Sequence, residues 1–157
     1  MKKSLAALAA CIVFSGPVRS QYSLLDLPRE SQHATVLQRI GTTDISVEYS
    51  RPSVKGRVIW GEVVPYDQVW RAGANENTTF TTTSEVTIEG QKLSAGTYGL
   101  HMIPTKTAWT IIFSKDHNSW GAFFYKKEND ALRVEVTPRA CPMTEQVTYD
   151  FTEVTSN

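Results

Sequence analysis

Short apolar-polar alternation, punctuated by turn-forming residues, constrains this chain more than any other feature. Ile45, Val47 and Tyr49 alternate with Ser46, Glu48 and Ser50, and Leu132, Val134 and Val136 alternate with Arg133, Glu135 and Thr137. A period of two sends successive side chains to opposite faces of a strand, so one face is buried and the other wet. A convincing long apolar stripe with the 3.6-residue period of a helix is found nowhere.

Taken in order, residues 34–40 and 44–49 read as strands joined through Gly41-Thr42-Thr43, a turn-forming cluster. Residues 78–83 form a Thr-rich strand, and 86–93 fold over Glu89-Gly90 as a hairpin. Residues 96–103 and 109–113 make a second hairpin. The aromatic run 120–125 reads as a strand, 126–130 as one helical turn, 132–136 as a strand ended by Pro138, and 147–151 as a final strand. Seven to nine such strands predict an all-β fold, an antiparallel β-sandwich or partly closed barrel with one long central loop system.

That loop system spans residues 49–79 and holds Arg51, Lys55, Arg57 and Arg71 with Trp60 and Trp70. A segment this long inside a compact domain is functional or disordered, and its Trp, Val and Ile content argues against disorder. From Arg51 to Arg71 there are four fixed cations and two acids, Glu62 and Asp67. Arginine and lysine gathered beside glycine and serine backbone donors suit a carboxylate, phosphate or sulfate, although the same cations can simply pair with nearby acids. In Trp70-Arg71-Ala72-Gly73-Ala74-Asn75-Glu76, small residues allow close backbone approach. Around them Arg71, Asn75 and Glu76 offer a cation, an amide and a carboxylate.

The N-terminus has the order of an export signal over residues 1–20: Lys2 and Lys3, an apolar run from Leu5 to Phe14, the Gly16-Pro17 break, then small-residue cleavage after Ser20. Residues 21–157 are then one β-domain, expected in the periplasm or outside the cell. Leu8-Ala9-Ala10-Cys11 also resembles a lipoprotein box, the less favoured reading, which would anchor the chain through Cys11. No other stretch is apolar over the roughly 18 residues a spanning helix needs. Cleavage removes Lys2, Lys3 and Arg19, so the 16 basic residues become 13 against 16 acidic ones, a net of −3. A slightly acidic chain without a basic tract is a poor nucleic-acid binder, so nucleic acid is not the expected partner. Cys141 alone would survive cleavage, so no intrachain disulfide is expected.

Four tryptophans, 60, 70, 109 and 120, are many for this length. Trp109 shares a strand face with Ile111 and Phe113 and reads as core, whereas Trp60 and Trp120, each followed by glycine, suit the walls of a pocket. His33, His101 and His117 form no metal-ligand pattern, and the familiar hydrolase, zinc-protease, phosphate-loop and dinucleotide motifs are missing. No cofactor or metal is expected. His101, on a central strand, is the best titratable candidate for a pocket, and Glu76 is a candidate general base.

The chain resembles the bacterial family catalogued as domain of unknown function 2911. The resemblance rests on Gly41-Thr42-Thr43-Asp44-Ile45, Tyr49-Ser50-Arg51-Pro52-Ser53-Val54-Lys55-Gly56-Arg57, Ile59-Trp60-Gly61 and Val64-Pro65-Tyr66. It continues through Val69-Trp70-Arg71-Ala72-Gly73-Ala74-Asn75-Glu76, Ala95-Gly96-Thr97-Tyr98, Ile103-Pro104, Trp109 and Trp120-Gly121. It implies an exported bacterial protein, largely of the Bacteroidota, and a single domain. No reaction, cofactor or catalytic residue comes with it.

The leading expectation is therefore a module for a small polar or anionic ligand, a metabolite or glycan. Arg51, Lys55, Arg57 and Arg71 supply charge, Asn75 and Glu76 orientation, and Trp60 and Trp120 walls. A hydrolase or lyase using Glu76 or His101 as acid/base is the alternative, and a structural envelope protein the third reading.

Overall fold

The computed structural model describes residues 28–155; the expected export signal and the lipoprotein-like stretch lie outside them. Eight strands follow in chain order: β1 Gln32–Ile40, β2 Thr43–Arg51, β3 Thr78–Thr82, β4 Val86–Ile88, β5 Gln91–Leu93, β6 Gly96–Pro104, β7 Trp109–Ser114 and β8 Asp130–Val136. Six form one antiparallel sheet in the order β1-β2-β3-β6-β7-β8, and β4-β5 is a separate two-stranded sheet. The fold is all-β. With β1 and β8 at opposite ends of the order, the large sheet stays open rather than closing into a barrel.

The alternation read from the sequence sets which face packs. Val36 faces Val47, Val47 faces Phe80, Phe80 faces Tyr98, and Leu100 faces Phe113 across the register. Val47, Tyr49, Tyr98, Leu100, Phe113, Leu132 and Val134 form a core against Leu93, with Val86 and Ile88 packed beside them. The small hairpin thereby covers part of one face of the large sheet, and Gln91 Nε2 donates to the Arg133 carbonyl of β8 at 3.4 Å. On the opposite face His101 and Ile112 face one another across the β6-β7 pair, and both are buried. The segment after β7 crosses directly over them: a Cβ added to Gly99 would lie 2.4 Å from the Asp116 carbonyl oxygen.

Two expected strands are not strands. Trp120 makes only an isolated bridge to Glu76, and residues 121–124 turn, with Gly121 at φ +67° and Tyr125 N–H donating to the Ala122 carbonyl at 3.2 Å. A left-handed residue breaks the extended run. Residues 147–151 carry real alternation, since Val147 and Tyr149 pack on the core, but β2 beside them already has β1 and β3 on its two edges. Because β2 has no free edge, the segment pairs only just beyond it, at the antiparallel bridge Ser53–Gln146, and then lies across the face, where the Tyr149 ring meets Tyr49 edge-on at 4.7 Å. The helical turn expected at 126–130 is a 3-10 turn over Lys127–Asn129.

Candidate functional site

Beside the core face, the long loop and the segment 141–149 enclose a cleft of about 860 Å³. Its near wall starts at a tight turn made by Lys55 (φ +50°) and Gly56 (φ +67°), with Arg57 N–H donating to the Val54 carbonyl at 3.0 Å. Glu145 clamps this turn from the far wall. Its backbone carbonyl accepts from Val54 N–H and its Oε1 from Lys55 N–H, each at 2.8 Å. Trp70 is stitched to β6 by reciprocal backbone bonds with Met102 at 2.7 and 2.8 Å, beyond the point where β3 stops pairing. Trp60 then meets Trp70 at 5.7 Å and Trp109 at 4.6 Å, both edge to face. All three rings line the cleft, so Trp109, expected in the core, instead stands in the cleft wall against Trp60.

Three of the four loop cations also line it: Lys55, Arg57 and Arg71. Arg57 donates to the carbonyls of Val54 (3.0 Å) and Ser53 (2.6 Å), which fix the guanidinium without neutralising it. Lys55 is paired with Glu30, the one carboxylate in the lining. Arg71 is different: its Nε is buried and has no hydrogen-bond partner. A buried donor left unbonded costs on the order of 1–3 kcal/mol, so the Arg71 guanidinium is held with its bonding incomplete. Summed over the lining, three cations meet one carboxylate, a net of +2.

Arg51, the fourth cation, does not line the cleft. It fastens the far wall, donating from Nε to the Val147 carbonyl (3.0 Å) and from Nη2 to Thr148 Oγ1 (2.9 Å). Asn75 sits at φ +60° and donates to the Ser31 carbonyl at 3.3 Å, so it positions the loop. Ala72, at φ +55°, is also left-handed, a strained state for a residue with a Cβ. Its carbonyl accepts from Tyr149 Oη at 2.7 Å and from Thr78 Oγ1 at 3.1 Å. Burial pushes the Tyr149 phenol far above its ordinary range, keeping it a neutral donor. Trp120 stands outside the cleft, half exposed, its backbone bridged to Glu76.

Neither candidate acid/base group lines the cleft. Glu76 borders a second hollow, of about 740 Å³, with Arg29, His33, Glu48, Asn77 and Thr79. There it is paired with Arg29 at 2.5 Å, and that hydrogen bond holds its carboxyl below the ordinary value. A carboxylate so stabilised is a weak base. His101 is only 2% exposed and lies under the opposite face. Burial lowers its pKa, so the ring is neutral at pH 7, with Nδ1 3.4 Å from the Gly99 carbonyl and the ring 5.3 Å from that of Tyr125. No group of three or more metal-ligating side chains occurs among the described residues.

Residues 31–157 match the family described as "Protein of unknown function (DUF2911)". The chain belongs to that family. No curated protein and no solved structure matches the chain. In this DUF2911 member, then, the cleft rests on its own geometry. The sequence pointed to the cationic near wall but not to the far wall at 141–149 or to the Arg29 partner of Glu76. Those pairings span 47 to about 90 residues and carry no local signal.

Proposed function

We propose that this protein is an exported binding module for a small organic anion whose body is apolar or aromatic, taken up in the cleft between the long loop and residues 141–149. The observation that carries this reading is the cleft lining, in which Lys55, Arg57 and Arg71 stand against a single carboxylate beside Trp60, Trp70 and Trp109, and the Arg71 guanidinium is a donor whose own bonds are incomplete. A carboxylate, sulfate or phosphate accepts from such a donor by a charge-assisted bond, while the indoles shelter the attached ring or chain from water. Arg57, already fixed by two carbonyls, adds charge with little further ordering cost. The enzyme alternative gains no support from Glu76, which is ion-paired, or from His101, which lies away from the cleft.

The test is calorimetry on the chain from Gln21 with benzoate, phenyl phosphate, glucuronate, inorganic phosphate and a neutral sugar. Anions bearing a ring bind, and Arg71→Met weakens them by about tenfold or more, as expected for one charge-assisted bond. Glu76→Gln leaves the affinity unchanged. Equal binding by wild type and Arg71→Met, with folding intact, overturns the reading.

A further inference from the structure

The turn that replaces the expected strand at 120–125 has its own chemistry. Phe123 is 82% exposed, Phe124 65% and Trp120 50%, three large rings within five residues. Scattered surface apolars are ordinary, but adjacent rings on a turn are a patch. Cations follow at once: Lys126 and Lys127 are exposed at the 3-10 turn. Lys115 is brought beside them by its backbone N–H, which donates to the Asn129 carbonyl at 2.8 Å.

The local acids reduce these charges without cancelling them: Arg133 neutralises Asp130, which leaves Asp116 and Glu128 against three lysines. Asp116 accepts from Ser119 Oγ at 2.7 Å, and Asp130 is held by Tyr125 Oη at 2.7 Å and Arg133 Nε at 2.5 Å. None of Lys115, Lys126 and Lys127 is in an ion pair among the described residues, and Glu128 is the one further acid of this turn. Projecting rings skirted by lysines suit a soft partner that needs no matching pocket. The rings enter the acyl boundary, and the lysine stems lie along the apolar zone with their ammonium groups at anionic headgroups.

We propose that the 120–127 turn docks this protein onto the surface of an anionic lipid bilayer. The contact is peripheral: no helix among the described residues is long and apolar enough to cross a membrane. Its rings are not part of the cleft lining, although Arg71, which is, lies against the turn, its Nη1 3.0 Å from where a Cβ on Gly121 would stand.

The experiment is vesicle flotation with the chain from Gln21, which retains every strand and every core residue. Phosphatidylglycerol-containing vesicles are compared with pure phosphatidylcholine at low and high salt. Wild type floats with the anionic vesicles and is released by salt. Phe123→Ser with Phe124→Ser lowers partitioning at least tenfold, and Lys126→Gln with Lys127→Gln removes the preference for anionic lipid. These positions are exposed, so melting temperatures stay near wild type, and quenching of tryptophan by brominated acyl chains is lost in Trp120→Phe. Partitioning unaffected by either double variant overturns the proposal. So does a self-association, seen by sedimentation without lipid, that the phenylalanine variants abolish, because the patch would then belong to a second copy.

Discussion

The two hollows that flank the long loop share Ser31 in their linings, yet they are electrostatic opposites. The cleft has three cations against Glu30 and three indole rings; the other hollow has Arg29 against Glu48 and Glu76, with His33, and no tryptophan. In the polar hollow the prominent charge is already consumed, Glu76 by Arg29. In the cleft, the Arg71 Nε is left over. The difference teaches that the number of charges around a concavity says less about binding than whether their hydrogen bonds are already made.

The partition between the hollows is the most sensitive place to test this contrast. A Cβ on Gly73, which lines the cleft, would lie 2.7 Å from Thr78 Oγ1 and 3.1 Å from the carbonyl of Ser50, which lines the other hollow. Gly73→Ala must therefore push backbone, and it is expected to cost about 2 kcal/mol or more in denaturant melts. A wild-type midpoint would mean that the wall is soft and the hollows are not separate sites.

An intermediate effect separates both hollows from His101. Its folded pKa lies below the ordinary 6.5, so between the two values the unfolded chain binds a proton that the folded protein refuses. Stability then falls as pH drops below about 6.5 and levels off below the folded pKa. His101→Gln flattens this slope, while anion affinity in the cleft stays level over the same range. An affinity that follows the histidine would join the two regions that the geometry keeps apart.

The smallest effect is expected in the polar hollow itself. The Arg29–Glu76 pair has both side chains more than half exposed, so a double-mutant cycle should give less than about 1 kcal/mol of coupling. Because the pair depresses the Glu76 pKa, its contribution is present above the ordinary 4.5 and is lost as pH falls through the lowered value. A coupling several times larger would show a desolvated pair and make this hollow more than a water-filled dent.

The strands were readable wherever alternation coincided with a free pairing edge. That covers β1 to β8, including the hairpin turning at Glu89-Gly90, both at positive φ. Aromatic content misleads at 121–124, where Gly121, visible in the sequence, marks a residue able to turn the chain. Periodicity misleads at 147–151, because a period of two reports which side chains are buried and not whether a neighbouring edge is available. For the site, Lys55, Arg57, Trp60 and Arg71 are legible as a local concentration of charge and ring. Arg51 looks equivalent to them in sequence, and only the chain's distal part decides that it ties down a wall.

That tie has a temporal side. The wall opposite the long loop is built from residues 141–149 and is clamped by Glu145 and Arg51 across some 90 to 97 positions of chain. During synthesis and any passage through a membrane, the sheet can assemble as far as β8 while the cleft still has one side missing. On the proposed reading a ligand would thus report a finished molecule, and a chain cut before Thr144 would lose that wall together with Val147 and Tyr149 from beside the core.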